Sequence, residues 1–110
     1  MYEYNAKLVR ILDGDTVDAK IDLGFDVWVK KRIRFLGINA PETRTRDLEE
    51  KQAGLKAKSR VEALFDASDG VFVLKSHGVG KYGRVLGEIF IEKVNINNLL
   101  IEEGYARIYK

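Results

Sequence analysis

The sequence predicts a small five-stranded Greek-key β-barrel carrying two helices, an α+β fold built as one domain over residues 1–110. Three observations lead there: five short segments with strand patterning or composition, a long apolar stripe at helical spacing between the third and fourth of them, and a shorter helical pattern after the fifth. The 110 residues, 45% apolar and 33% charged, suffice for one core and not for two. Scaffold and any functional site must therefore share it.

Residues 7–12 and 16–21 are the first two strand candidates, joined through Asp13-Gly14-Asp15, a turn composition. In the third, residues 27–36, Val27, Val29, Ile33 and Phe35 share one parity with Lys31 as the exception, while Trp28, Lys30, Arg32 and Arg34 share the other. Arg34 thus points away from the apolar face. Asp47 followed by Glu50 resembles a capping box, and Gly54, Ala57, Val61, Leu64 and Phe65 then recur at helical spacing until Asp69-Gly70. Residues 71–75 and 85–91 read as the last two strands, separated by the Gly-rich stretch 76–83. Ile96, Leu99 and Leu100 suggest a short helix stopped by Gly104. Five strands with a helix inserted after the third suggest the oligonucleotide/oligosaccharide-binding (OB) type of barrel, with the short C-terminal helix appended.

The net charge of +2 identifies no partner, but its distribution is uneven. Residues 30–60 hold ten basic and four acidic side chains, a local balance of +6, which leaves −4 for the remainder. Such a cluster is either a solvated face or a surface for a polyanion. Zero cysteines exclude disulfides, thiolate catalysis and Cys-ligated zinc. No apolar stretch resembles a signal peptide or reaches transmembrane length, so the expectation is a soluble protein without a membrane partner. It would be cytoplasmic as given, or secreted if a leader was removed.

Three segments carry chemistry: Asp13-Gly14-Asp15-Thr16, the run from Arg34 to Thr43, and Lys81-Tyr82-Gly83-Arg84. Asp15, with backbone carbonyls and amide side chains, offers hard oxygen donors that favour Ca²⁺ or Mg²⁺ over zinc. Glu42 is a candidate for orienting or deprotonating an attacking water. Arg34 and Arg84 suit a phosphate, because a guanidinium is always charged and bonds two oxygens in a fixed fork. Each segment alone is an ordinary turn, loop or strand entry; their joint order and spacing are far more specific. Among other residues, His77 lies in the Gly-rich loop without an evident carboxylate partner and reads as a surface histidine. Trp28 either stacks on a base or covers one end of the barrel, and packing is favoured. Tyr82, two residues before Arg84, has more reason to be functional. Arg44 and Arg46 either gather a polyanion or form a solvated loop.

On these motifs the chain resembles the thermonuclease family, the staphylococcal-nuclease-like domains, over residues 7–109. The resemblance implies Ca²⁺-dependent hydrolysis of DNA and RNA, leaving 3′-phosphates, and the expectation that goes with it is little sequence preference and best action on single strands. It further implies that Asp15 binds calcium by its carboxylate and Ala40 by its carbonyl oxygen, while Asp13 acts nearby through water. Arg34, Glu42 and Arg84 match the catalytic set, and Lys81 and Tyr82 match residues that contact a nucleotide phosphate. Asn39 replaces a second calcium-binding aspartate, which lowers the expected Ca²⁺ affinity toward a Kd of roughly 10⁻⁴ to 10⁻³ M. The family's C-terminal tyrosine has no counterpart in register, since Tyr105 and Tyr109 are both offset. A monomer with no obligate protein partner is expected. The alternative is the same OB-fold barrel as a catalytically weak or inactive module binding nucleic acid or a peptide. Glu42 argues for the enzyme, and Asn39 leans toward the module.

Overall fold

Strand β1 (Tyr2–Asp13) is long because it serves two neighbours. Its second half pairs antiparallel with β2 (Thr16–Asp22), from Ala6 opposite Ile21 to Asp13 opposite Thr16. Its first half pairs with β5 (Val71–Val79), from Tyr2 opposite Ser76 to Lys7 opposite Val71. This second pairing is why the strand begins near residue 2 rather than at the predicted residue 7. The computed structural model describes residues 2–109.

From β2 the chain returns as β3 (Trp28–Phe35), with Thr16 opposite Arg34 and Asp18 opposite Arg32. The predicted alternation holds: Ile33 and Phe35 are buried in the core while Arg34 faces the other way. Trp28 departs from its expected packing role. It is half exposed and stands outside the core.

A two-residue strand, β4 (Ile38–Asn39), leads to α1 (Leu48–Asp66). Asp47 caps that helix as predicted, its Oδ1 accepting from the backbone N–H of Glu49 (3.0 Å) and Glu50 (3.3 Å). The reciprocal half of the cap comes from Thr45, whose hydroxyl accepts from the Asp47 N–H at 3.3 Å. The buried stripe of α1 is Gly54, Ala57, Val61 and Phe65, and the ring of Phe65 meets Phe72 of β5 edge-on, 5.2 Å between centroids.

After β5, a 3₁₀ turn at Lys81–Gly83 leads into β6 (Val85–Ile91), antiparallel to β5. β6 also pairs parallel with β3, Ile33 to Val85 through Phe35 to Gly87, and this closes the order β3-β2-β1-β5-β6 into a barrel. The OB-type barrel with two helices is therefore present. The seam is only three pairs long, and Asn97 extends it. Asn97 lies in α2 (Ile96–Glu102), after the short β7 (Val94–Asn95). Its buried amide donates to the carbonyls of Leu36 (2.9 Å) and Gly87 (3.0 Å) and accepts from the Ile89 N–H (3.1 Å). Last, β8 (Arg107–Ile108) pairs with β4, Ile38 opposite Ile108 and Asn39 opposite Arg107.

Candidate active site

The Asp13–Thr16 turn and the Ala40–Thr43 loop meet beneath α1, and small side chains make that meeting possible. A Cβ on Gly54 would lie 2.5 Å from the Glu42 carbonyl oxygen, and one on Gly14 would lie 2.7 Å from the Ala57 Cβ. The helix therefore rests on the backbone that presents Glu42. The two loops are also tied directly, since Asp13 Oδ1 accepts from the Thr43 hydroxyl at 2.7 Å.

Asp15 lies at the centre and is 6% exposed. Its Oδ1 accepts from the Thr16 hydroxyl (2.8 Å) and its Oδ2 from the Ala40 N–H (2.8 Å), with Arg34 Nη1 3.5 Å away. A buried carboxylate needs such partners. Arg34 is held as firmly: Nη1 donates to the carbonyls of Ile38 (2.8 Å) and Phe35 (3.1 Å), and Nη2 to Asn39 Oδ1 (3.3 Å). Asn39 thus accepts from an arginine as a neutral amide, where a carboxylate would form an ion pair.

Arg34, Asn39, Lys81 and Arg84 line one cavity of about 540 Å³. Glu42 does not open into it. Its exposed side chain borders a neighbouring cavity with Asp47, Glu49 and Glu50, and Asn39 lines both cavities. Tyr82, almost fully exposed, borders a third cavity that Arg84 also lines. The Arg84 guanidinium sits 5.9 Å from the Tyr82 ring centroid. Four side chains, Arg34, Asn39, Lys81 and Arg84, therefore share one cavity, with Asp15 beside Arg34, Tyr82 reached only through Arg84, and Glu42 to one side.

The donors suit a hard cation in kind: the Asp15 carboxylate, the Asn39 amide oxygen and the Ala40 carbonyl are all oxygen ligands. Only one of them bears a formal charge. Among the described residues no group of three or more His, Cys, Asp or Glu gathers closely enough to hold a metal.

Sequence reasoning missed two contacts, one at this site and one outside it. Tyr109, discounted as out of register, lines the arginine cavity, its ring 5.7 Å from the Arg34 guanidinium. The β4–β8 pairing puts it there, with the Tyr109 N–H donating to the Gly37 carbonyl at 2.9 Å. His77, in contrast to the sequence expectation, has a carboxylate partner: its Nε2 lies 2.6 Å from Glu88 Oε1, and Glu88 Oε2 accepts from Asn95 at 2.8 Å. That cluster holds β5, β6 and the cap of α2 together.

The family model for staphylococcal nuclease homologues matches residues 32–110. An uncharacterized protein of Methanocaldococcus jannaschii is 32% identical, covering 96% of this chain and 59% of its own length. The micrococcal nuclease of Shigella flexneri is 28% identical over 98% of this chain and 60% of its own, and the endonuclease YncB of Bacillus subtilis 27% identical over 94% and 47%. The chain spans about half to three-fifths of the length of these curated relatives.

Proposed function

Because the chain belongs to the staphylococcal nuclease homologue family, we propose that it is a Ca²⁺-dependent nuclease. It hydrolyses phosphodiester bonds of DNA and RNA with little sequence preference, acts best on single strands, and leaves 3′-phosphates. The observation that carries this reading is the convergence of Arg34, Lys81 and Arg84 on one cavity beside Asn39 and above the buried Asp15.

Asp15, Asn39 and the Ala40 carbonyl would hold the cation, which when bound polarises a phosphoryl oxygen. Arg34 and Arg84 bind the non-bridging oxygens and stabilise the charge that grows on them as phosphorus becomes five-coordinate. Arg34 is already fixed by two carbonyls, so little reorganisation accompanies that step. From the adjoining cavity, across Asn39, Glu42 takes the proton of the attacking water, the new P–O bond forms, and the P–O5′ bond breaks, its oxygen taking a proton from solvent. Lys81 and Tyr82 hold the neighbouring nucleotide.

Incubation with denatured DNA in millimolar Ca²⁺, and then with chelator, tests the reading. Glu42→Gln should lower kcat by about 10² to 10⁴, and Arg84→Ala by about 10² to 10³. No Ca²⁺-dependent cleavage, or cleavage indifferent to both substitutions, would sink it. The non-catalytic module is favoured by one feature, the uncharged Asn39 engaged by Arg34, and it predicts binding of the same DNA with no cleavage at any Ca²⁺ concentration.

A further inference from the structure

We propose that the β2–β3 hairpin tip is a base-stacking platform for a nucleic-acid strand that leaves the arginine cavity along β3. This rests on the nuclease reading and adds a second contact region to it. Four apolar side chains crowd the tip in the open: Leu23, Phe25, Val27 and Trp28, with Phe25 101% exposed. Among the described residues nothing covers Phe25, and the other three are about half exposed.

The tip is nonetheless a built structure. The Leu23 N–H donates to the Val27 carbonyl (2.8 Å), the Val27 N–H to the Gly24 carbonyl (2.9 Å), and the Gly24 N–H to Asp22 Oδ1 (2.8 Å). Phe25 and Asp26 are held at φ of 55° and 60°. A bulky side chain in the left-handed region is disfavoured, so this turn presents a ring to water at a conformational cost. Soluble domains seldom keep such a patch without a use.

The charge beside it identifies the partner. Lys30, Lys31 and Arg32 line a cavity of about 650 Å³ together with Tyr82 and Arg84, so it joins the arginine cavity through Arg84. Arg32 is neutralised by Asp18, Nε to Oδ1 at 2.9 Å, whereas Lys30 and Lys31 form no ion pair among the described residues. The β6 side of β3 is paired only from Ile33 onward, which leaves residues 28–32 with an open edge. Trp28 continues the parity of Lys30 and Arg34, about 20 Å from Arg34 along the strand. A phosphate path ending at aromatic faces is what a single strand of nucleic acid requires. A lipid surface fits less well, because Asp22 and Asp26 flank Phe25 and would have to be buried with it.

Trp28 is the only tryptophan in the chain, so its emission reports on the tip. In chelator, a thymidine 12-mer should quench it and a dinucleotide should not. Phe25→Leu should weaken 12-mer binding about tenfold, while Phe25→Tyr should keep it. Cleavage of the dinucleotide with Ca²⁺ should be the same in both variants and in wild type. Equal 12-mer affinity in Phe25→Leu, or Trp28 emission indifferent to the 12-mer, would overturn the proposal. So would phosphatidylglycerol vesicles that blue-shift Trp28 equally in both variants while the 12-mer does nothing. Quenching and length dependence without any cleavage would remove the hydrolytic reading and leave this surface standing; cleavage without length dependence would do the reverse.

Discussion

The two sides of the candidate site are built in opposite ways. On one side, Asp15, Ala40 and the Pro41–Glu42 backbone are wedged under α1 by Gly14, Gly54 and Ala57, with Asp15 bonded at both oxygens. On the other, Lys81 and Tyr82 ride an exposed turn in which Tyr82 takes a φ of 60°. The first side has helix and barrel packed on it; the second has solvent. Groups that must meet a reacting atom within fractions of an ångström belong on the packed side, and groups that receive a flexible polymer can sit on the compliant one.

That contrast can be broken from the packed side first. Gly54→Ala forces α1 off the Glu42 carbonyl, and a displacement of about 1 Å near the chemistry should cost on the order of 10²-fold in kcat. The same overpacking should lower stability by about 1–3 kcal/mol, read by urea unfolding. Unchanged kcat would mean the helix does not position Glu42. On the compliant side, Tyr82→Ala should raise KM by about tenfold with Tm unmoved, since the ring is almost fully exposed. A fall in Tm would show that the turn is packed after all.

Asn39→Asp sharpens the comparison by adding a charge where the two sides meet, since the exposed Asn39 lines both cavities. Calorimetry should find Ca²⁺ bound several-fold more tightly with little change in the chemical step; equal or weaker binding would remove the amide from the ligand set. The smallest effect concerns Asp18, on the floor of the Lys30–Tyr82 cavity. The hydrogen bond from Arg32 holds its carboxyl below the usual range, against the opposing effect of burial. A depressed folded pKa stabilises at pH above the unfolded value of about 3.9, and that contribution is lost as pH falls through the folded value. Wild type should therefore lose more Tm than Arg32→Gln between pH 5 and pH 3. Parallel losses would show that the pair contributes nothing to acid stability.

What was legible in the sequence lay in local patterns. The parity of Ile33 and Phe35 placed Arg34 outside, and the helical stripe already contained Gly54 and Ala57, although not the reason they are small. Asp47 was readable as a cap because a cap is a local bond. Contacts made by distant segments left no such trace. The pairing of β1 with β5 lengthened the first strand, and the pairing of Ile38 with Ile108 carried Tyr109 to the arginines. His77 found Glu88 only because β5 and β6 lie side by side. Trp28 was misjudged because its parity locates a face of the sheet and not what covers that face.

Asn97 has a consequence for how much of this chain can be removed. The parallel seam between β3 and β6 is short, and the amide of Asn97 serves one N–H and two carbonyls where backbone pairing runs out. The C-terminal helix is thus a clasp on the cylinder. A chain cut before residue 97 should unroll into a curved sheet with two raw edges, and edges of that kind template self-association. Shortened versions should fail first by forming oligomers, ahead of any loss of secondary structure, and size-exclusion chromatography would register it.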